Sequence, residues 1–132
     1  MPNRSPRLVL RVIQSCAMQL HDWNKIEKEQ LSPTFARQVI HGDAMTVARV
    51  YLKKGGFVPE HSHHNEQISM MEQGALRFVV GGREQVVRAG EVLHIPANVP
   101  HSAEAIEDSV ATDLFSPCRE DWKRGEDAYL RK

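Results

Sequence analysis

The chain has 132 residues, a length typical of one domain with a buried core. Acidic and basic residues balance at 17 each, and we find no basic stripe that would attract nucleic acid or an anionic membrane. No apolar stretch approaches the roughly 18 residues that a membrane-spanning helix needs. These features exclude the strongly charged and the membrane-spanning classes, and we expect neither nucleic acid nor membrane as a partner.

The N-terminal segment differs from the rest of the chain. Arg11 interrupts its apolar residues, so the run is shorter than that of a signal peptide. We interpret residues 1–17 as an extension without a functional role and residues 18–132 as the domain. Cys16 and Cys118 are too few for a disulfide framework and stand in no CxxC spacing, which favours reduced thiols in a cytoplasmic protein. Of the two, Cys118 is interpreted as an inert packing residue.

The predicted elements are almost all strands. A charged segment over 22–31 predicts a short helical turn, and short apolar runs bounded by turn residues follow it. The Gly81-Gly82 pair is typical of a tight hairpin. At the C-terminus, the charged segment 119–132 predicts a short helix on the outside. Eight or nine strands at near-regular spacing predict an antiparallel sandwich or barrel. They cover 34–40, 44–52, a stretch from Gly55-Gly56 through Glu72, 75–80, 84–88, 91–95, 101–106 and 109–115.

Metal-binding residue types alternate along the strand predicted after Gly56. Side chains two apart on a strand share a face, which predicts one face formed by His61, His63, Asn65 and Gln67. His64 and Glu66 would point the other way. Imidazole and amide groups that converge from one strand suit a divalent metal. The alternation therefore favours Gln67 over Glu66 as a ligand.

A second segment, Gly90 to His101, adds one more histidine after a turn rich in Pro and Asn. The two segments resemble the motifs of the cupin superfamily, G-x5-H-x-H-x3-E-x6-G and G-x5-P-x-G-x2-H. Gln67 replaces the Glu of the first motif, and Asn98 replaces the Gly of the second, where asparagine also accepts left-handed backbone angles. The resemblance implies an all-β fold: a single-domain cupin double-stranded β-helix, or jelly-roll barrel.

In such a barrel four uncharged ligands would meet: His61, His63, Gln67 and His101. A divalent cation held by them keeps its full charge, which favours an anionic or enolate-like ligand. Three imidazoles suit nickel, zinc, iron, copper or manganese, and ligand softness does not choose among these metals. The alternative is a hydrogen-bonded polar interior without metal.

Further polar residues close the last predicted strand. Asp113 and Phe115 share a face by alternation, and Arg119 follows shortly after. An inward aspartate whose pKa is raised by burial could act as general acid or base. Arg119 could bind a substrate carboxylate through a bidentate pair, and Phe115 would form a wall of the pocket. The alternative is a structural salt bridge between Asp113 and Arg119.

From Asp22 to about Trp122 the chain resembles the pectin-degradation cupins of the KdgF type, on the strings HSHHNEQ, IPANVPH and D-x-F-S-P-x-R-E-D-W. His64 departs from the Pro of many relatives. The resemblance implies a metal held by the three histidines and Gln67, and catalytic roles for Asp113, Phe115 and Arg119. It implies opening and ketonisation of 4,5-unsaturated uronate monosaccharides, hence a small anionic sugar-acid substrate. The wider cupin resemblance implies a homodimer.

Two other functions remain open at this stage. Three histidines also suit iron, so a metal-dependent dioxygenase is an alternative, and oxygen consumption with a phenolic or diketone substrate would favour it. A module that binds metal or a sugar acid without turnover is the other alternative.

Overall fold

The computed structural model describes residues 17–131. Residues 1–16, with Cys16 and most of the predicted extension, lie outside the described residues, as does Lys132. No helix in the described range is long and apolar enough to cross a membrane. Strands dominate this range. They are β1 (Glu29–Ser32), β2 (Phe35–His41), β3 (Thr46–Leu52), β4 (Phe57–His61), β5 (Glu66–Gln73), β6 (Ala75–Val80), β7 (Arg83–Arg88), β8 (Val92–Ile95), β9 (His101–Ala105) and β10 (Ser109–Ser116).

The strands form two antiparallel sheets, which confirms the predicted all-β class. Six strands pair in the order β1-β2-β3-β10-β5-β8, and four pair in the order β4-β9-β6-β7. Burial alternates strictly along β3, because every second side chain points to the same face. The buried apolar side chains of both sheets meet in one cluster. It includes Ala48, Val50, Leu52, Leu76, Phe78, Ile95, Ala103 and Phe115.

The predicted single strand from Gly56 to Glu72 is wrong. β4 ends at His61 and belongs to the four-stranded sheet, whereas β5 begins at Glu66 in the six-stranded sheet. Hydrogen bonds to two distant parts of the chain hold the turn between β4 and β5. The Asn65 side-chain amide donates to the carbonyl oxygens of Pro117 (2.7 Å) and Cys118 (3.1 Å), and the Asn98 amide donates to His63 O (2.8 Å). The chain therefore crosses between sheets within the first motif.

The ends of the described chain also differ from expectation. The helical turn predicted over 22–31 is only a 3₁₀ turn at Trp23–Lys25, in which Asp22 Oδ1 accepts from the Asn24 amide (2.9 Å). The rest of that segment extends and becomes β1, because pairing with β2 satisfies its backbone groups.

The C-terminal segment packs on the barrel and is more than an outer helix. It contains one helical turn, α1 (Glu120–Lys123), and a 3₁₀ turn at Ala128–Leu130. Leu130 is buried in the core cluster, and Arg37 of β2 forms a buried ion pair with Asp127. Such a pair is costly to break on one side only, since a buried charge would lose its partner. The ion pair thus anchors the C-terminal segment to β2.

Gly74 links β5 to β6 in a space that admits no side chain. Its φ is +84°, and an added Cβ would lie 2.3 Å from Asp108 O. We expect Gly74→Ala to lower the free energy of unfolding by at least about 3 kcal/mol, because left-handed strain and a backbone clash add. Gly82→Ala is the matched control, since Gly82 has a φ of +79° but nothing within 4 Å of its added Cβ. It should cost only about 1 kcal/mol. Urea unfolding measures both, and equal losses would contradict the clash.

Candidate metal centre

Two of the predicted ligands lie opposite each other on neighbouring strands of the four-stranded sheet. His61 ends β4, His101 begins β9, and the two residues are partners in the antiparallel register. Residues paired in this way place their side chains on the same face. His63 follows in the turn, and one ring nitrogen of each histidine lies within 4.8 Å of the other two. A strand pair and the turn after it therefore assemble the histidine cluster.

The fourth predicted ligand reaches the cluster from the other sheet. Gln67 is the second residue of β5, and its Oε1 lies 3.1 Å from His63 Nε2. Because the chain crosses between sheets just before β5, the amide can face the imidazoles across the interior. The four residues that the sequence grouped as ligands are thus brought together, although by a crossing rather than by one continuous strand.

The neighbours of these residues fall outside the cluster. His64 is exposed, and exposed Glu66 pairs with His94 at 2.7 Å, as expected for side chains that point outward. Asn65 was predicted on the face of the histidines, and this is wrong, because its buried amide holds the turn instead. Cys118 is buried, and its thiol donates to Gly42 O at 2.8 Å. That environment agrees with the packing role preferred for this cysteine.

Each histidine has a defined tautomer. Burial lowers the pKa of His61 and His63 to about 4 and also lowers the pKa of His101, so all three rings are neutral at pH 7. A carbonyl oxygen can only accept, so a ring nitrogen beside one carries the proton and the other nitrogen keeps a free lone pair. In all three rings the nitrogen beside a carbonyl is Nδ1. The contacts are His61 to Pro59 O (2.8 Å), His63 to Asn65 O (2.9 Å) and His101 to Val99 O (2.9 Å).

The lone pairs left on Nε2 fit a bound cation. His101 Nε2 is buried and has no hydrogen-bond partner among the described residues. His63 Nε2 faces Gln67 Oε1 at 3.1 Å, and the Gln67 amide nitrogen points away and donates to Ser69 Oγ at 2.9 Å. Neither facing atom has a proton to donate, because the ring proton of His63 is on Nδ1 and an amide oxygen only accepts. Buried acceptors without donors are costly, and a divalent metal would satisfy them together. The residues present therefore suit the metal that the motif implies.

Phe115 and Asp113 lie on β10, on the face that looks into the interior. Phe115 pairs with Gln67 across the strands, and its ring meets the His63 ring edge-on, with centroids 5.6 Å apart. Asp113 pairs with Ser69 in the same register. Burial raises the pKa of the Asp113 carboxyl to about 6, against the weaker opposing effects of a Ser69 hydrogen bond and the Arg119 charge. An aspartate with this pKa can take and return a proton near neutral pH.

Arg119 lies just beyond β10 and is almost fully buried. Its guanidinium donates through Nε and Nη2 to Asp121 at 3.0 and 2.8 Å, and Nη2 also donates to Tyr129 Oη at 2.9 Å. The salt bridge considered between Asp113 and Arg119 is not formed, because Asp121 takes that role. Within the described residues Nη1 has no hydrogen-bond partner, so its two N–H groups stay available for an anion.

Two aromatic residues of the C-terminal segment also belong to the site. The Tyr129 ring packs on the His61 ring, with centroids 4.7 Å apart, and Trp122 packs against Phe115 at 5.1 Å. The Arg119 guanidinium lies 4.2 Å from the Trp122 ring centroid. Neither residue was predicted from the sequence as a wall of the site. Trp122 stood within the quoted motif, but nothing in the charged tail indicated that Tyr129 would reach a histidine.

One cavity of about 60 Å³ brings these groups together. Its polar lining residues include His61, Gln67, His101, Asp113 and Arg119, and the rest of the wall is mostly apolar. Since the ligands are neutral and Asp121 offsets the charge of Arg119, the charge of a bound divalent metal would make the cavity positive. Such a site favours a small, partly apolar anion.

Two facing antiparallel sheets form a β-sandwich that encloses a histidine cluster able to hold a metal ion. A cupin domain profile matches residues 48–116, which is about half of the chain. The chain belongs to the cupin family. Asn98 of the second motif has a φ of +66°, the left-handed angle expected where the family has glycine.

Solved structures give the same assignment. KdgF from Halomonas sp. is 26% identical and has a TM-score of 0.76, with 80% of this chain and 99% of that chain covered. An RmlC-like cupin from Shewanella frigidimarina NCIMB 400 is 25% identical, with a TM-score of 0.75 over 80% of this chain and 96% of that one. A predicted oxalate decarboxylase from Thermotoga maritima, at 19% identity and a TM-score of 0.68 over 75% and 99% of the two chains, shares the fold. No curated protein sequence matches significantly.

Proposed function

We propose that this cupin is a metal-dependent enzyme that opens 4,5-unsaturated uronate monosaccharides and converts them to linear keto sugars. The observation that carries the proposal is the convergence of three kinds of group on one cavity. These are uncharged metal ligands, an aspartate with a raised pKa, and a buried arginine with one free nitrogen. Similarity to KdgF from Halomonas sp. supports the proposal.

Arg119 suits the carboxylate of the substrate. Asp121 and Tyr129 hold the guanidinium in one orientation, and Trp122 and Phe115 pack against it. A guanidinium that is already held in one orientation loses little conformational freedom when it binds an anion. Its binding energy can therefore orient the sugar ring of the substrate. Bound metal would supply positive charge that stabilises negative charge developing on a nearby substrate oxygen.

Asp113 suits the proton transfers of this isomerisation. The anomeric hydroxyl loses its proton, the bond from C1 to the ring oxygen breaks, and an aldehyde forms at C1. The electrons of the broken bond leave an enolate at C5, which becomes a ketone when C4 takes a proton. Net composition is unchanged, so one carboxylate that accepts the first proton and returns one to C4 suffices. Asp113 shares the cavity with His61 and Arg119, as this role requires.

The direct test uses purified protein, loaded in turn with nickel, zinc, iron or manganese, and 4,5-unsaturated galacturonate. We expect the ultraviolet absorbance of the conjugated double bond to fall much faster than in the spontaneous reaction, with NMR showing the linear keto sugar. Arg119→Lys should raise KM at least about tenfold, because an ammonium cannot bond Asp121 and Tyr129 as the guanidinium does and still present a fixed N–H pair to the substrate. Arg49→Lys, at an exposed pair with Glu72, should leave KM unchanged.

Other results would assign a different function. Oxygen consumption with a phenolic substrate and no effect on the uronate would favour the dioxygenase alternative. Uronate that binds in calorimetry but keeps its absorbance with every metal would indicate a binding module. Either outcome refutes the isomerase proposal.

A further inference from the structure

We infer that Ser69 is a positioning residue that sets which end of the Gln67 side-chain amide faces the metal. Ser69 lies two residues after Gln67 on β5, so both side chains point into the interior. It is fully buried and accepts a hydrogen bond from the Gln67 amide nitrogen at 2.9 Å. Nothing in the cupin motifs marks this position, which falls among the unspecified residues before Gly74.

The other neighbour of Ser69 favours the same direction for this hydrogen bond. Asp113 is the cross-strand partner of Ser69, and the serine hydroxyl, acting as a donor, lowers the pKa of the Asp113 carboxyl. A carboxylate has only acceptors, and a serine has one proton to give. When that proton goes to Asp113, the Ser69 oxygen can only accept from Gln67. The amide must then turn its nitrogen toward Ser69 and its oxygen toward His63.

The opposite orientation is unfavourable on both sides. A reversed amide would place its NH₂ group, which has no lone pair to give, against the metal, and would set two oxygens face to face at Ser69. Leaving buried polar groups unpaired costs more than an average hydrogen bond contributes. Residues that orient a metal ligand through a hydrogen bond typically change metal affinity by about 10- to 100-fold when they are removed. We expect an effect of this size for Ser69.

The inference rests on the metal-binding part of the proposed function and not on the uronate activity. Its test is zinc affinity, measured by competition with a chelator in the full chain. Ser69→Ala should weaken zinc binding about 10- to 100-fold. In a Gln67→Glu background the same change should alter affinity by less than about threefold, because a carboxylate presents an oxygen in either orientation. The non-additivity of the two changes isolates the orienting role.

Ser109→Ala is the matched control. Ser109 is another buried serine, but its hydroxyl bonds the Ala75 amide at the far turn. This variant should lose stability and keep zinc affinity. Equal zinc affinity of wild type and Ser69→Ala would overturn the inference while the metal site stands. So would an equal loss in the wild-type and Gln67→Glu backgrounds. If wild type itself binds no zinc, the inference falls together with the metal site, and the uronate assay then tests the activity separately.

Discussion

His101→Ala should remove tight metal binding. The residue contributes a buried Nε2 whose lone pair meets no donor among residues 17–131, and its ring lies 4.3 Å from the His61 ring and 4.9 Å from the His63 ring. A methyl group in its place leaves two imidazoles and one amide, which is too few for a stable site. We expect metal affinity to fall at least about 10³-fold, or roughly 4 kcal/mol. Chelator competition and metal analysis of the purified variant measure the loss.

His64→Ala is a close control for this change. His64 follows His63 directly but is exposed and points away from the cluster. Its removal should leave metal content and affinity unchanged, although it deletes the same chemical group one residue from a ligand. Metal content of His101→Ala equal to that of wild type would mean that the second motif takes no part in the site. The metal would then be held by other residues without His101.

The sequence was sufficient to predict which candidate metal ligands lie together, but not how the chain brings them there. His61, His63 and Gln67 are spaced as on one face of a strand, and this spacing in the sequence does not show whether the strand continues or is broken by a turn. The break is produced by Asn65, whose partners lie more than 50 residues away. Contacts at such separation leave no local periodic signal. For this reason the grouping of the ligands was predicted and the crossing between sheets was not.

The surroundings of Arg119 show the same limit. The sequence indicated an arginine near the end of the last strand, and the expected competitor for its charge was Asp113. Arg119 instead pairs with Asp121, two residues away, and the same guanidinium nitrogen also donates to Tyr129. Tyr129 reaches the site because Asp127 is bound by Arg37 of β2. A tertiary ion pair of this kind cannot be read from charge patterning, since the tail contains several acidic residues of similar appearance.

The position of Asp113 suggests that activity and stability conflict at this residue. Its pKa in the folded protein is about 6, above the ordinary value of 3.8. A carboxyl whose pKa is raised by folding destabilises the native state at pH above 6, where it is ionised in both states. The penalty decreases as pH falls through 6 and vanishes below about 4, where both states are protonated. Metal-free Asp113→Asn should therefore be more stable than wild type at pH 8, by about 1–3 kcal/mol, and equally stable near pH 4.

The same variant should lose most of its turnover on the unsaturated uronate. Asparagine is nearly isosteric but cannot take up a proton, so we expect kcat to fall about 10²- to 10⁴-fold while metal content stays at the wild-type value. Wild-type kcat/KM should decrease as pH falls below about 6, because protonation removes the base, and that decrease should be absent from the residual activity of the variant. Asp43→Asn, at an exposed position before β3, should change neither turnover nor stability. Wild-type turnover by Asp113→Asn would assign the proton transfers to another group. A gain in stability without loss of turnover would mean that the raised pKa of Asp113 reflects its burial and has no catalytic role.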